Sequence, residues 1–344
     1  MERADRDLAF MLQYENVAWY ENGKVRILDR RVYPSNVKFE VCTSYTEVAI
    51  AIRDMVTQSA GPYLAARMGM ALAAFECKDK GKEEQHSFLR KAAYELSHAR
   101  PTTAARMEAF TEKCYQVAIN ALEDGKRTDQ AVFEHALEEI NSKYLRIGKV
   151  AKYLVDLFPQ RGTVLTQCFG ETIVGQMLKE IGEQGKEYKI ICAETRPYFQ
   201  GARLTASVAY DQGFDVTVIT DNMPAFAMKQ GMVDVFTSAA DAISCDGHIV
   251  NKVGTMQIAL ACKYFGIPYY VTGEPDKKHK IIDSVEIELR DEKYVLEAMG
   301  VQTTKKGVKG WYPAFDITPP KLCEGIVTSK GVYLPYEINR FFDE

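Results

Sequence analysis

The stretch "VLTQCFGE" (residues 164–171) decides the fold prediction, because it begins as an apolar strand and then changes character. A thiol, a glycine and a carboxylate stand where the strand should end. Further short β-favouring runs follow, each succeeded by a helix-compatible segment: "KIICAE" (189–194), "DVTVIT" (215–220), "VDVFTSA" (233–239) and "IPYYVTG" (267–273). Strands that alternate with helices predict βαβ crossovers and a parallel sheet.

The spacing of these runs predicts an α/β domain of the doubly wound, Rossmann-like kind over residues 156–344. In such sheets a ligand binds beyond the carboxyl ends of the strands, so the polar residues that follow each run are the candidates for function. They are Thr166, Gln167, Cys168, Glu194, Thr195, Arg196, Asp221, Asn222 and Asp241.

Residues 1–155 predict a different kind of domain, a small β unit followed by helices. "VAWYENGKVRIL" (17–28) contains two β runs joined through Asn22-Gly23, a strong hairpin signal, and strand-like alternation continues in "NVKFEVCTSY" (36–45). Helical patterns then run to about Val155, with Thr46 as a plausible first cap. They are interrupted at "KDKGKEEQ" (78–85) and "ARPTT" (99–103).

Composition narrows the class of protein. The 344 residues are 47% hydrophobic and carry a net charge of −4, which argues against a chain that mainly coats nucleic acid or anionic membrane. No apolar run approaches the ~20 residues of a membrane span, and the charged start "MERADRDLAF" is unlike a secretory signal, so a cytoplasmic protein is expected.

Metal and nucleotide signatures are missing from the sequence. The eight cysteines form no CxxC pair and the five histidines never take zinc spacing, so no metal is expected and about six thiols are interpreted as small buried hydrophobes. No GxGxxG opens a helix after a strand, and no GxxxxGK[ST] occurs. The predicted rim instead carries a thiol, carboxylates and amides, with Lys252 on the helix after the fourth strand. This set suits an anionic sugar-like ligand and proton transfer without a cofactor.

Several motifs, in order along nearly the whole chain, resemble the S-methyl-5-thioribose-1-phosphate isomerase family. The wider group includes ribose-1,5-bisphosphate isomerases and the regulatory subunits of the translation initiation guanine-nucleotide-exchange factor. The motifs are "LDRRVYP" (28–34), "ARPTTAARMEAF" (99–110), "LTQC" (165–168), "AETRPYFQGARLTA" (193–206), "TDNM" (220–223), "AADAISCDGHIVNKVGT" (239–255) and "YPAFDITPP" (312–320).

The resemblance implies that Cys168 and Asp241 carry the chemistry. The anomeric oxygen of an aldose 1-phosphate is locked in an ester, so the ring opens only if its oxygen is protonated. Asp241 is assigned that role, which an apolar, enclosed site with a raised carboxyl pKa would favour. Cys168 would move a proton from C2 to C1, for which its pKa should be lowered. A hydride shift, with Cys168 only shaping the site, is the competing route.

The same resemblance implies substrate-binding roles for Arg100, Gln200, Asn251 and Lys252, around one phosphate dianion. The loop "TQSAGP" (57–62) departs from the usual family pattern, because Gln58 and Ser59 stand in place of arginine and glycine and remove a positive charge. Arg196 is interpreted as structural, and His248 as a loop or helix-start residue.

Two classes of function remain open. The first is a cofactor-free aldose-ketose isomerase that converts a 5-modified ribose 1-phosphate, such as S-methyl-5-thioribose 1-phosphate or 5-deoxyribose 1-phosphate, in nucleoside or methionine salvage. Ribose-1,5-bisphosphate isomerase is the alternative substrate branch. The second class is a non-catalytic regulatory protein of the translation-factor type that binds nucleotide or sugar phosphate. Retention of both Cys168 and Asp241 favours the enzyme. A homodimer joined through the C-terminal domain is expected, with no nucleic-acid or membrane partner.

Overall fold

The computed structural model describes residues 2–100 and 104–343. The chain forms two compact units, Met1–Leu145 and Arg146–Glu344. The boundary between them lies inside the long helix Thr128–Asp156. The domain division expected near residue 155 falls in the same helix. The α-helices are α1 (Tyr14–Val17), α2 (Tyr45–Arg53), α3 (Gly61–Glu76), α4 (Lys82–Ser97), α5 (Ala104–Glu123), α6 (Thr128–Asp156), α7 (Thr172–Glu183), α8 (Ala206–Asp211), α9 (Pro224–Lys229), α10 (Thr255–Phe265) and α11 (Lys293–Leu296).

The strands of the first unit are β1 (Ala18–Glu21), β2 (Lys24–Leu28) and β3 (Phe39–Cys42). Those of the second unit are β4 (Arg161–Gln167), β5 (Glu187–Ala193), β6 (Asp215–Ile219), β7 (Val235–Ala239), β8 (Ala242–Ile243), β9 (Ile249–Lys252), β10 (Tyr269–Thr272), β11 (Glu297–Ala298), β12 (Val301–Gln302), β13 (Phe315–Thr318), β14 (Gly325–Thr328) and β15 (Gly331–Tyr333).

The predicted hairpin at the start of the chain is confirmed. β1 and β2 pair antiparallel, and β3 adds to β2 in a three-stranded sheet. Asn22 and Gly23 both have positive φ, 50° and 74°, as a type I′ turn requires. A side chain at position 23 would also collide with the Phe75 ring, 2.3 Å from an added Cβ. Backbone conformation and space therefore both select glycine there.

Helices follow the β unit, as predicted, although their ends differ in detail. α2 begins after Ser44, whose hydroxyl accepts the amide of Glu47, so the expected cap at Thr46 is wrong by two positions. The helix α4 begins at Lys82, inside the charged run 78–85. Glu83 and Glu84 lie in its first turn, where negative charge stabilises a helix. The "ARPTT" break lies partly outside the described residues, because 101–103 are not among them.

A seven-stranded sheet organises the second unit in the order β15-β14-β10-β7-β4-β5-β6. All five predicted strands are present in it, and their pairings are parallel. Read from β6, the first six strands have the order 3-2-1-4-5-6 of a doubly wound nucleotide-binding fold. The fold prediction is therefore confirmed, and the winding reverses between β4 and β7.

Two parts of this unit were not predicted. β14 and β15 extend the sheet, with β15 antiparallel at the edge. A second, three-stranded sheet has the order β13-β9-β8. Lys252 is the last residue of β9, so its predicted position on a helix is wrong. The helix begins three residues later, at Thr255, because Gly254 turns the chain with φ 104°.

Aliphatic and aromatic side chains from β4, β5, β7, β10 and β14 pack with α10 to form the core of the second unit, including Leu165, Ile191, Phe236, Ile258 and Val271. All eight cysteines are free, and six are buried, as expected of small hydrophobes; Cys168 and Cys245 are partly exposed. In the described part of the chain, none of the helices combines the length and apolar character that a bilayer crossing demands.

Candidate active site

The point where the sheet reverses its winding brings Cys168 and Asp241 together. Cys168 follows the end of β4, and Asp241 follows the end of β7. These two strands are parallel neighbours, with Thr166 opposite Thr237. Because ligands of doubly wound sheets bind in the crevice at this reversal, the two residues occupy the expected binding position.

The backbone at Cys168 is held in a strained conformation. Its φ is 63°, in the left-handed region that a non-glycine residue rarely adopts. The Cys168 amide donates to Thr195 Oγ1 at 2.8 Å, and the Thr205 hydroxyl donates to the Cys168 carbonyl oxygen. Thr195 itself has φ 65°. Strain that the surrounding contacts enforce in this way is characteristic of sites that orient a side chain.

The loop after β5 forms the support for Cys168. Asp221 accepts the amides of Thr195 at 2.8 Å and Arg196 at 2.6 Å, which fixes the loop. Gly201 opens a π-helical turn that ends at Thr205. A Cβ at Gly201 would lie 1.8 Å from the Ala193 carbonyl oxygen, so only glycine allows this close approach. The π-turn thereby brings Thr205 to the backbone of Cys168.

A short hydrogen-bond network connects the end of β4 to the end of β9. Gln167 Nε2 donates to the Val253 carbonyl at 3.0 Å, and its Oε1 accepts the Thr255 hydroxyl at 2.7 Å. Asn251 Nδ2 donates to the same Thr255 hydroxyl at 3.1 Å. The network holds the segment containing Lys252 beside the segment containing Cys168.

Lys252 is a buried cation. Its side chain is enclosed, and its ammonium donates to the Ala314 carbonyl at 3.1 Å and lies 4.9 Å from the Phe315 ring centroid. Among the described residues, no carboxylate lies within ion-pair distance of this ammonium. Burial accordingly lowers the pKa of Lys252. A buried ammonium whose direct contacts in the described chain are a carbonyl and a ring suits an anionic partner.

The structure adds residues that sequence reasoning missed. Residues 288–290 run beside 312–314, as the Arg290 amide donates to the Tyr312 carbonyl and the Ala314 amide donates to the Glu288 carbonyl. Arg290 and Tyr312 both act electrostatically on Cys168. Tyr312 belongs to the motif 312–320 quoted above, which signalled the family but no role for it. Arg290 had no signal of its own.

Burial determines the protonation of Cys168 in the chain alone. Burial raises the pKa of its thiol to about 11, and Lys252 opposes this rise while Asp241 adds to it. The lowered pKa that a thiolate role of Cys168 would need is therefore not found in the chain alone, where the thiol form dominates at neutral pH. Asp241 is an exposed residue.

Gln200 and Arg196 lie on the loop that supports Cys168. Gln200 precedes the π-turn, and its side-chain oxygen is buried with no hydrogen-bond donor among the described residues. Arg196 donates to the carbonyls of Tyr294 at 3.3 Å and Glu297 at 2.8 Å. Arg196 thus anchors the 294–297 segment. His248 lies in the loop between β8 and β9, beside Asp246.

The remaining predicted ligands, Gln58, Ser59 and Arg100, belong to the first unit. Gln58 is buried, and its carbonyl accepts Nη1 of the fully buried Arg30 at 2.6 Å. Ser59 has φ 57°, and one residue, Ala60, separates it from the start of α3. Arg100 is partly buried. Arg30, part of the motif 28–34, therefore fixes the backbone of the unusual loop.

Asp316 supports the start of α10. Its carboxylate accepts the amides of Gly254 at 2.7 Å and Met256 at 3.2 Å. Burial nevertheless raises its pKa from 3.8 to about 6. This residue belongs to the second sheet, which the sequence did not predict.

Replacing Asp316 with asparagine should change how stability depends on pH. Since the folded-state pKa is raised, the folded chain binds more protons than the unfolded chain between pH 4 and 6, and the contribution of Asp316 to the free energy of unfolding falls as pH rises through this window. An asparagine side chain does not titrate, so thermal unfolding should show Asp316→Asn gaining up to about 3 kcal/mol relative to wild type from pH 4 to 7. A stability difference that stays constant with pH would contradict the raised pKa.

The residues that converge at this site can bind an anion and transfer a proton. They offer a buried ammonium, a thiol on a strained turn, an exposed carboxylate and amide groups. Within residues 2–100 and 104–343, no cluster of three or more His, Cys, Asp or Glu side chains could hold a metal ion.

Comparison with known proteins identifies the family. The model of the Initiation factor 2 subunit family matches residues 59–335. The chain belongs to the Initiation factor 2 subunit family. A curated member from Thermosipho africanus, named methylthioribose-1-phosphate isomerase, is 34% identical over 92% of this chain and 95% of its own length. A member from Clostridium botulinum, named 5-deoxyribose 1-phosphate isomerase, is 31% identical over 94% and 96%.

Solved structures that are similar to this chain have the same fold. The 5-methylthioribose 1-phosphate isomerase of Pyrococcus horikoshii aligns with a TM-score of 0.84 and 29% identity, over 97% of this chain and 98% of that one. The subunit delta of translation initiation factor eIF-2B from A. fulgidus aligns with a TM-score of 0.82 and 30% identity, over 94% and 97%. The family predicted from the motifs is therefore confirmed, and similarity in fold alone does not separate the enzymes from the translation factors.

Proposed function

We propose that this protein is an aldose-ketose isomerase that converts a 5-modified ribose 1-phosphate to the corresponding ribulose 1-phosphate, without a cofactor. The observation that carries the proposal is the buried Lys252 ammonium, with no carboxylate within ion-pair distance among the described residues, beside Cys168 at the reversal of the sheet. A buried charge without a counter-ion costs several kcal/mol, and a substrate phosphate would remove that cost. The isomerase names of the relatives over most of the chain support the same activity.

The proposed reaction needs two acid-base groups, and Asp241 and Cys168 are the residues proposed for these roles. Asp241 donates a proton to the ring oxygen as the bond between C1 and that oxygen breaks. A proton then leaves C2 and another reaches C1, while the C2 hydroxyl loses its proton to form the ketone, so no net proton is gained. Cys168 is the group proposed to act at C2 and C1. Lys252, Asn251 and Gln200 are proposed to hold the substrate, and the family resemblance extends the same proposal to Arg100, Gln58 and Ser59.

The 5-substituent is proposed to be small and apolar or weakly polar. The family resemblance implies an arginine where this chain has Gln58, so the phosphate loop carries one cation fewer than that pattern. A second phosphate at C5 would bring roughly two more negative charges, which is unfavourable by a few kcal/mol in a partly desolvated cleft. A methylthio or methyl group avoids this cost.

Direct comparison of three substrates tests the proposal. We expect S-methyl-5-thioribose 1-phosphate or 5-deoxyribose 1-phosphate to exceed ribose 1,5-bisphosphate in kcat/KM by at least ~100-fold, about 2.7 kcal/mol. Ketose formation is followed directly, after dialysis against chelator and with no nucleotide added. Preference for the bisphosphate would reject the substrate assignment, and activity that returned only with added metal would reject the cofactor-free reaction.

The second candidate is a non-catalytic regulatory protein, and its support is the similarity to the solved eIF-2B subunit delta. A binding protein requires neither a thiol nor a proton donor at the cleft, which is why the enzyme is favoured. Tight binding of all three sugar phosphates with no ketose formed from any would favour this candidate.

The protein is further proposed to be a cytoplasmic homodimer joined through the second unit. Exposed apolar side chains on the packed helices α9 and α10, among them Phe226, Leu260 and Tyr264, support an association through this unit. Light scattering on the purified protein measures the mass in solution, and a monomer at micromolar concentration would contradict the dimer.

A further inference from the structure

Arg30 is a fully buried cation that holds the loop before α3. Its guanidinium Nη1 donates to the Gln58 carbonyl at 2.6 Å, and the Gly61 amide donates to the same carbonyl at 3.1 Å. The Arg30 amide donates to the Val56 carbonyl at 2.8 Å, so its main chain and its side chain both bind the segment 56–58. Two donors therefore fix the direction of the Gln58 carbonyl.

This contact orients the peptide between Gln58 and Ser59. The peptide is trans, so its N–H points opposite to its C=O. Because the carbonyl faces the Arg30 guanidinium, the N–H, which is the positive end of the peptide dipole, faces the other side of the loop. Ser59 has φ 57°, and Ala60 is right-handed with φ −88° and ψ −5°. Turns of this kind form a concave backbone surface that suits an anion.

The start of α3 also suits negative charge. This helix of 16 residues begins at Gly61, and its N-cap residue, Ala60, has no side chain that could accept the first amides. The positive end of the helix dipole therefore has no cap from that residue. The sequence contains no acidic residue between Asp54 and Glu76, so no carboxylate from this stretch competes with an external anion.

Thr57 is the independent observation that indicates a ligand at this helix start. Its side chain is fully buried, and its hydroxyl has no hydrogen-bond partner among the described residues. Thr57 Oγ1 lies 1.9 Å, and Arg30 Nη1 lies 3.2 Å, from the point that a Cβ of Gly61 would occupy. The hydroxyl is thus directed at the first residue of α3. A buried hydroxyl without a partner is unfavourable, and a bound anion would accept its hydrogen bond.

We propose that Arg30 is the positioning residue of an anion site at the start of α3, and that Thr57 donates to the bound anion. A phosphate group is the class of ligand that fits, because a guanidinium behind the loop, a helix start and a hydroxyl donor all favour a dianion. Gln58 brings no charge, and its side-chain amide donates back to the Met55 carbonyl at 3.4 Å. Use of this site by a sugar phosphate rests on the proposed isomerase function, but the anion site itself does not.

Binding of inorganic phosphate tests the proposal without any sugar substrate. Isothermal titration of the full-length protein, with the ionic strength kept constant by chloride, gives the Kd of each variant. We expect Arg30→Gln to weaken phosphate binding ~10-fold and Arg30→Lys, which keeps the charge and a donor, to weaken it less. Arg31→Gln is the matched control, because the Arg31 side chain is 41% exposed and paired with Asp29 at 2.8 Å. Its Kd should stay within about twofold of wild type.

Thr57→Val separates binding from structural damage. Valine has the shape of threonine without the hydroxyl, so the melting temperature of the ligand-free protein should rise while phosphate binding weakens ~3-fold. A residue that only supports the loop would not change stability and affinity in opposite directions. Phosphate Kd values that equal the wild-type value in both Arg30→Gln and Thr57→Val, or a wild-type chain that binds no phosphate, would overturn the proposal. If Arg30→Gln does not fold, Thr57→Val alone decides.

Steady-state kinetics of the same variants connect the site to the reaction. For a 5-modified ribose 1-phosphate, Arg30→Gln should raise KM ~10-fold and leave kcat within about threefold of wild type, because the proposed acid-base groups are Cys168 and Asp241. Phosphate affinities in the expected order, in a protein without isomerase activity, would reject the proposed function and leave the anion site intact.

Discussion

Replacing Cys168 with serine should lower kcat ~100-fold or more while leaving the fold intact, which is the range for losing an essential acid-base group. The substitution exchanges sulfur for oxygen at a side chain on a strained turn whose backbone contacts are made by the amide and carbonyl. Those contacts do not involve the thiol, so the turn should persist. Steady-state kinetics with the preferred 5-modified ribose 1-phosphate, alongside circular dichroism, measures both quantities.

Cys245→Ser is the matched control for this prediction. Cys245 is the other partly exposed cysteine, and its thiol donates to the Asp276 carbonyl at 3.5 Å. Its replacement should leave kcat within about twofold of wild type, as expected for a site outside the acid-base machinery. Turnover of Cys168→Ser close to that of Cys245→Ser would remove Cys168 from the chemistry.

Solvent isotope incorporation decides how Cys168 acts. With a thiol pKa of about 11, Cys168 holds its proton in the free chain at neutral pH. Proton transfer through this group should place solvent deuterium at C1 of the ketose formed in D₂O. A hydride shift would carry the C2 hydrogen to C1 without exchange, and Cys168 would then shape or polarise the site. Both the proton and the hydride routes remain compatible with the position of the thiol.

The parts of this fold that the sequence predicts correctly are those that local sequence patterns determine. The five strands β4, β5, β6, β7 and β10 are short apolar runs separated by helices, and a parallel sheet follows from that alternation. The reversal between β4 and β7 places Cys168 beside Asp241, so the pairing of these residues also follows from the strand order. The hairpin at Asn22-Gly23 is similarly local.

Contacts between distant segments account for what was missed. β9 has only four residues and lies just before Gly254 and α10, so its sequence "IVNK" merges with the helical pattern. Its partner β13 follows more than 60 residues later and reveals itself only through backbone pairing. Arg290 is also positioned by a long-range backbone pairing, that of residues 288–290 with 312–314. The high pKa of Cys168 depends on burial, which one isolated motif does not indicate.

Asp241→Asn should abolish turnover, by ~100-fold or more, while preserving sugar-phosphate binding. The amide has the same shape as the carboxylic acid but cannot supply the proton that ring opening requires. The substitution also removes a negative charge that opposes ionisation of Cys168, so the Cys168 pKa should fall. Low activity combined with faster alkylation of Cys168 would therefore be attributable to the lost proton donor, because the thiol itself would have become more reactive.

Binding measurements separate this role from ligand holding. Asp215→Asn is the control, since Asp215 is an exposed aspartate at the start of β6, at the opposite end of the strands, paired only with Lys189 at 3.3 Å within the described chain. Isothermal titration with the substrate should give Kd values within about threefold of wild type for both variants, because neither change removes a cation from the phosphate. Loss of binding in Asp241→Asn alone would show that Asp241 holds the sugar hydroxyls, and the proton donor would then have to be sought elsewhere.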